Sequence, residues 1–481
     1  MIPRTIRRAR NYSKLLAPAF TPVAPCRRVF GHKFYSGAPT KVEKILLDNI
    51  KATGPFSYST YMNLCLSHPT DGYYANPQNA VFGTQGDFIT SPEISQVFGE
   101  LLGVWLLSNW AKVAQSKPPP KIRLIELGPG RGTLMNDILR TFAQFMPKGT
   151  IQTVNLVETS RSMREVQKTM LTPGAQAGGW DLAWLDSIEE LDPSEDVYTM
   201  IVAHEFFDAL PIHVLKNTKN GWREILIAST PATGASGTPS STATATSSPP
   251  SLDFDSTLAS PPAEPNISPL PVEGGTLCRV LASGGSISAS VLAGSSSRFK
   301  ALGEGSTLEV SPSAYRTSRK IGELIAPEQN ASAGGCALIV DYGADHHHED
   351  SFRAFKNHKM VDVFHRPGEC DLTADVDFGY LKEAVADLGS LNTHGPISQS
   401  TFLERMGIQL RLDRLRKSFE KAGNTKSVET LEDASKRLVD PTGMGGQYKV
   451  FAMTSKLATP TAGEDVVWPF IAEEALKSGE E

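Results

Sequence analysis

A chain of 481 residues has room for about two or three domains, and 40% hydrophobic with 21% charged residues is the balance of an ordinary globular protein. A net charge of −5 gives no electrostatic reason to expect a nucleic-acid partner, and no run of about eighteen apolar residues is present to span a membrane. The five cysteines (Cys26, Cys65, Cys278, Cys336 and Cys370) are scattered without a C-x-x-C pair, which speaks against a disulfide scaffold or a zinc site and fits a reducing interior.

Residues 1–42 contain no Asp or Glu, while Arg4, Arg7, Arg8, Arg10, Lys14, Arg27, Arg28 and Lys33 make them strongly basic. Arginine-rich, acid-free and punctuated by Ser, Ala and Pro, this is the composition of a mitochondrial transit peptide, expected to end near Phe34-Tyr35-Ser36. The alternative is a basic arm that binds an acidic surface. Beyond it the spacing predicts helices. Val42, Ile45, Leu46 and Ile50 form one stripe, stopped by Gly54-Pro55, and Tyr58, Tyr61, Met62 and Leu66 form a second. Residues 69–85, rich in Gly, Asn and Tyr, read as loop. Ser91 then has the look of an N-cap with Pro92 at the first helical position, and the helix is expected to run through Val97, Leu101, Leu102 and Trp105. This loop and helix can fold as a lid over a site behind them. Asp87, ahead of the cap, is the residue that capping does not explain.

Residues 121–142 carry the strongest signal. An apolar run with Glu126 near its end breaks into Gly128-Pro129-Gly130-Arg131-Gly132, and Leu134, Ile138, Leu139 and Phe142 follow at helical spacing. Strand, tight glycine turn and helix place a ligand at the carboxyl end of the strand, by the helix N-terminus. A dinucleotide fingerprint needs glycine where Thr133 stands. Here the order is acid first, then glycines at alternate positions. An acid there meets a cationic ligand and repels a pyrophosphate. The pattern resembles motif I of class I S-adenosylmethionine (SAM) methyltransferases. Taken alone, the turn is also compatible with an ordinary strand-to-helix connection.

Residues 153–157 read as a second strand ending at Glu158, whose carboxylate can accept both hydroxyls of a ribose. Trp184-Leu185-Asp186-Ser187 reads as a short third strand and its loop, with Asp186 either an adenine contact or a surface turn. A fourth strand, 198–203, runs into His204-Glu205-Phe206-Phe207-Asp208-Ala209-Leu210-Pro211. Two carboxylates thus stand beyond the end of a central strand, where α/β enzymes place chemistry. The plainer alternative makes Phe206 and Phe207 core, Asp208 the cap of a following helix, and His204 a hydrogen-bonded structural histidine.

Residues 229–270 are almost wholly Ser, Thr, Ala, Pro and Gly, too poor in apolar surface to order, and are expected to be disordered. The strands predicted on either side, 222–227 and 277–281, suit one hairpin or sheet, so the segment is a loop within a domain; 282–305 is a milder version of it. Glu309 precedes a cap at Ser311-Pro312 and can face the same cleft. Residues 337–340 read as a buried strand ending Asp341-Tyr342-Gly343. His346, His347 and His348 are consecutive, point in different directions, and suit a solvated loop better than a metal. Asp377 or Thr373 caps a helix over 380–388, another helical region opens at 395–399 and continues to Leu415, and the alternating charges of 411–437 mark solvated helix faces. Residues 444–453 read as a closing strand, and 459–481 as a mobile tail.

The segments GDFITSPEISQVFGELLG, IELGPGRGTL, VAHEFFDALPIHV, LIVDYG and DLTADVDF, in this order, resemble the MidA-like SAM-dependent methyltransferases. The likeness is strongest to their mitochondrial branch, the arginine methyltransferases that act in complex I assembly. The match covers roughly 41–454 apart from the insertion. It implies an α/β fold: a class I SAM-methyltransferase (Rossmann-like) core with a helical N-terminal segment and an inserted or C-terminal α+β lobe. The expected division is transit peptide 1–40, helical segment and lid 41–118, SAM-binding core 119–228, insertion 229–270, remainder of core and substrate lobe 271–455, tail 456–481. The resemblance further implies a type II activity, symmetric dimethylation of an arginine in the 49-kDa core subunit of respiratory complex I, in the matrix. For the cofactor, Glu126, Gly128, Gly130, Gly132, Glu158 and Asp186 are the candidates. For the chemistry they are Glu205 and Asp208, then Asp87, with Glu93 and Glu309 behind. The paired-glutamate loop of the familiar arginine methyltransferases is not found as such. A different substrate, a non-catalytic SAM-binding chaperone, and a homodimer stay open.

Overall fold

A strand buried on both faces has to be apolar at nearly every position, and those apolar runs build the centre of this molecule. The computed structural model describes residues 38–76, 79, 90–115, 118–194, 196–230, 276–326, 333–456 and 467–471. Its main strands are β1 (Lys121–Leu127), β2 (Ile151–Val157), β3 (Asp181–Leu185), β4 (Val197–His204), β5 (Gly335–Ala344), β6 (Leu391–Ser398) and β7 (Tyr448–Ser455). They lie in the order β3-β2-β1-β4-β5-β7-β6. The first five are parallel, and β7 runs antiparallel to both its neighbours. The order departs from the dinucleotide-binding 3-2-1-4-5-6 by placing β7 between β5 and β6. Winding reverses between β1 and β4, and their carboxyl ends open the crevice in which such sheets hold ligands.

Side chains alternate across β1. Ile122 and Leu124 join the apolar layer under the helices Gln96–Val113 and Thr133–Phe145. Ile125 and Leu127 join the layer under the helix Pro312–Ile325. Gln96–Val113 is buried around most of its circumference, because helix Ile408–Lys421 lies on its outer side, where Arg411 pairs with Glu100 at 2.7 Å.

A second lobe has its own core. An antiparallel sheet joins Phe56–Ser57, His213–Thr218, Gly221–Thr230, Thr276–Leu281 and Thr307–Val310. The helices Lys41–Thr53 and Tyr58–Ser67 and a small sheet of Arg353–Lys356, Lys359–Val361 and Asp371–Thr373 complete it. The two strands flanking the Ser/Thr/Pro-rich segment pair with each other, as their patterns predicted. His213–Thr218 and Gly221–Thr230 belong to this lobe, although the expected boundary at 228 keeps them with the core.

Several expectations fail for identifiable reasons. Thr90, not Ser91, is the N-cap, and Ser91 is buried with its hydroxyl donating to Gln399 Oε1 at 3.2 Å. The helix breaks at Ser95, whose side chain caps the next one. Residues 282–305 contain the short helices Ile287–Ala293 and Ser297–Lys300. The region near Gly395 is strand β6, because its partner β7 supplies the ladder that its own polar sequence does not advertise. The closing strand begins at Tyr448, after a turn of helix Met444–Gln447. Part of the supposed tail is anchored: Arg405 donates to the carbonyls of Pro469 and Ile471, and Phe470 packs on Trp105. Asp377 does cap the helix that follows it. The basic leader and most of the insertion lie outside the described residues, as does Asp87.

Candidate active site

The first half of the site is the bend after β1. Gly128, Gly130 and Gly132 all take positive φ, at 62°, 49° and 86°, a region that costs an L side chain energy and glycine none. At Gly128 space adds a second constraint, since a Cβ there would stand 2.9 Å from the Phe206 ring. Gly132 caps the helix Thr133–Phe145 without a side chain, leaving the first N–H groups of that helix open. Beside the bend, Glu126 is 2% exposed, and its Oε2 has no hydrogen-bond partner among the described residues. Burial pushes its pKa up to about 8. An unpartnered buried carboxyl is costly and calls for a ligand or another role.

The acid after β2 is tied to this bend. Glu158 Oε1 accepts the Ser160 N–H at 2.7 Å, and its Oε2 accepts from Gln167 Nε2 at 3.2 Å. Gln167 also donates to the Gly130 carbonyl at 2.7 Å and accepts from Trp184 Nε1 at 2.8 Å. Gln167 thus links the ends of β1, β2 and β3. Sequence reasoning missed it, because one glutamine on a helix carries no local signal. Asp186 is largely exposed and pairs with Arg164 at 2.5 Å.

The second half is the loop after β4. Leu127 and Ala203 are register partners, so this loop starts beside the glycine bend, and the Phe206 ring covers Gly128. Glu205 has a positive φ of 50°, uncommon for a side chain without local compensation. Its N–H donates to the Val340 carbonyl at 3.0 Å, and its Oε1 accepts from the Tyr448 hydroxyl at 2.5 Å. Asp341, fully buried toward the carboxyl end of strand β5, before Ala344, organises the rest: its Oδ2 accepts the N–H groups of Phe206, Phe207 and Asp208 at 3.2, 2.8 and 3.3 Å. The sequence marked Asp341 only as the end of a strand.

Three more carboxyls therefore share one buried region. Burial pushes Glu205 up to about 8, against the pull of the Tyr448 hydroxyl. Burial also raises Asp208, against the nearby Arg353 guanidinium. Asp341 is pushed well up by burial and by Asp208 and Glu205. The alternatives for this loop are partly corrected. Phe207 is core, but β4 is followed by a turn and strand His213–Thr218, so Asp208 caps no helix. His204 is not hydrogen-bonded at Nε2 among the described residues; it is held by ring contacts with Phe98 and Tyr448, and burial pulls it down to about 3. Glu93 is close enough to raise the Glu205 pKa. Glu309 is turned to another task, accepting N–H groups of Ser351 and Phe352 in the second lobe. Among the described residues no His, Cys, Asp and Glu group could hold a metal ion.

The family model for S-adenosyl-L-methionine-dependent methyltransferases matches residues 101–397. The mitochondrial protein arginine methyltransferase NDUFAF7 of Danio rerio is 35% identical over 436 residues, covering 86% of this chain and 87% of that protein. The Homo sapiens protein of the same name is 33% identical over 466 residues, covering 93% and 87%. A crystal structure from Burkholderia thailandensis, described as a likely methyl transferase of the COG1565 superfamily bound to S-adenosyl-homocysteine, shares the fold. Its TM-score is 0.61 at 21% identity, over 86% of this chain and 91% of that one.

The residues present suit that cofactor. Glu126 is a buried carboxyl whose Oε2 has no hydrogen-bond partner among the described residues, which suits a cationic ligand, and the bend at Gly128 leaves no room for a side chain. The architecture, the acid-first glycine bend and the relatives converge: the chain belongs to the MidA-like family of S-adenosyl-L-methionine-dependent methyltransferases, and S-adenosyl-L-methionine is its cofactor.

Proposed function

We propose that this mitochondrial protein is a protein arginine N-methyltransferase. Its finer assignment is symmetric dimethylation (type II) of an arginine in the 49-kDa core subunit of respiratory complex I, in the matrix and in the service of complex I assembly. The observation that carries the arginine reading is the pair of carboxyls beside the glycine bend, Asp208 buried and Glu205 with a side chain 15% exposed. The names of the relatives support it.

The electrostatics give the reason. A guanidinium is charged at any working pH, and the methyl donor is charged as well. Bringing two cations together requires fixed negative charge, and a carboxylate also orients a guanidinium through charge-assisted hydrogen bonds. S-Adenosyl-L-methionine supplies a methyl on a positively charged sulfur; the accepting nitrogen gives up an N–H proton, its electron pair forms the N–C bond, and the S–C pair stays with sulfur. Glu126 holds the cationic methionine end. Glu158 accepts the ribose hydroxyls, since each of its oxygens still has an acceptor site beside its present bond. Asp186 sits toward the adenine side, already engaged by Arg164. Glu205 and Asp208, ionising as the cations bind, neutralise and aim the guanidinium. With its pKa near 8, Glu205 is suited to take the departing proton. Alignment of the two reactants is the larger part of such catalysis. Asp87 keeps its place as a candidate from sequence.

The test is transfer of labelled methyl from SAM to purified complex I subunits, with the product arginine identified by mass spectrometry. Symmetric dimethylarginine in the 49-kDa subunit is expected. Label on another acceptor would redirect the substrate assignment, and cofactor binding without transfer would leave a chaperone. Gly130→Val, which puts a branched side chain at φ 49°, is expected to abolish cofactor binding in calorimetry while the chain stays folded.

A further inference from the structure

Tyr448 opens β7, and its sequence context marks it only as part of a closing strand. Its hydroxyl crosses 243 positions of chain to reach Glu205. The side chain is 1% exposed, and its ring packs against His204 (centroids 6.0 Å apart, 7° between planes) and Tyr342 (4.0 Å, 36°). A ring so held has one place to put its oxygen. Glu205, in turn, stands at a positive φ on a loop whose next three N–H groups are gathered by Asp341. Strain of this kind persists only where the surroundings over-determine it, and it collects at functional positions. The His204 imidazole completes the enclosure: its Nε2 lies 3.7 Å from the same Glu205 Oε1, beyond hydrogen-bond reach.

We propose that Tyr448 is a positioning residue for methyl transfer: its hydroxyl holds Glu205 Oε1 and so leaves Oε2 as the oxygen presented to the substrate guanidinium. This rests on the arginine methyltransferase reading above. The phenol occupies one acceptor site of Oε1 and fixes the plane of the carboxyl, so Oε2 is the less engaged oxygen, and Asp208 supplies a second anchor. In the step served, a guanidinium nitrogen loses an N–H proton to Glu205 Oε2, its electron pair forms the N–C bond, and the S–C pair stays with sulfur. The phenol also favours the ionised form of Glu205 against burial and against its acidic neighbours. Those facing groups are His204 on β4, Asp208 on the same loop, Asp341 and Tyr342 on β5, Asp371 in the small lobe sheet, and Glu93 in the helix Ser91–Ile94.

Tyr448→Phe removes one oxygen and keeps the ring. In the full-length protein it should lower kcat about 10- to 100-fold, the loss expected for one hydrogen bond to a charged group. The acidic limb of the pH–kcat profile should move to higher pH, while S-adenosylhomocysteine binding stays unchanged. In a Glu205→Gln background the same substitution should cost no further activity. An unchanged kcat and profile in Tyr448→Phe, or an equal loss in both backgrounds, overturns the proposal. Should the variant fail to bind S-adenosylhomocysteine, infrared difference spectra of wild type against Glu205→Gln decide instead. A Glu205 carboxyl band shifted by a strong hydrogen bond supports the proposal, and an unshifted band overturns it. Absence of transfer by the wild type to any arginine acceptor would instead strike the underlying functional reading.

Discussion

At the scale of single residues, the unusual feature is a set of acids that folding leaves short of charge compensation. Glu126 is the sharpest, with one oxygen unpartnered and its pKa about 8. If it grips the cationic end of the cofactor, it has to ionise on binding. The affinity advantage of wild type over Glu126→Gln should therefore grow between about pH 6 and pH 8, reaching about tenfold or more. The ratio is the useful readout in calorimetry, because the ligand's own amino group titrates nearby, at about 7.7–8.0. A ratio flat across that range would remove Glu126 from the binding site. Asp341 shows a different economy. One carboxyl gathers three successive N–H groups, so the loop after β4 keeps its shape without belonging to a helix or strand.

Among elements, the helices over the core are coupled through Glu100. This residue of Gln96–Val113 is buried and takes Arg140 from Thr133–Phe145 at 3.2 Å and Arg411 from Ile408–Lys421 at 2.7 Å. Both arginines are more than a third exposed, so solvent discounts the pairs. Glu100→Ala should still cost about 1–2 kcal/mol, since it removes the partner of Arg411 and leaves Arg140 with Asp137 and Gln96. Urea denaturation followed by far-ultraviolet dichroism would measure it; a change below about 0.3 kcal/mol would mean the three helices are held by apolar packing alone. Legibility differs at this scale too. β1, β2 and β4 were readable because buried parallel strands are short apolar runs, and the bend after β1 because glycine at positive φ is a local requirement. β6, with the sequence LNTHGPIS, was not readable, because its only reason to be a strand is its antiparallel neighbour β7. The break at Ser95 was hidden for a related cause: the residue expected to cap, Ser91, spends its hydroxyl on Gln399, far along the chain.

For the molecule as a whole, the raised acids predict an unusual pH dependence. A carboxyl whose native pKa exceeds its unfolded one binds its proton more tightly when folded. Its stabilising effect is complete below the unfolded value and is lost as pH rises through the native one. For Glu126 and Glu205 that window runs from 4.5 to about 8, and Asp208 moves in the same direction. The melting temperature of the free protein should therefore fall between about pH 5 and pH 8.5. With S-adenosylhomocysteine saturating, the fall should be smaller, because a bound ammonium compensates one of the acids. Differential scanning calorimetry at several pH values would show it; melting temperatures rising steadily to pH 8.5 in the free protein would contradict the burial of these groups.

By itself the sequence determined the acid-first glycine bend, the carboxyls that end β1, β2 and β4, and the hairpin around the insertion. All of these follow from backbone preference and from spacing over a few residues. Only the tertiary structure decided that Gln167 ties the bend to Glu158, that Asp341 shapes the Glu205 loop, and that Tyr448 reaches Glu205 across 243 positions. Such contacts are set by which strands lie side by side, and no local pattern encodes the partner that a strand will find.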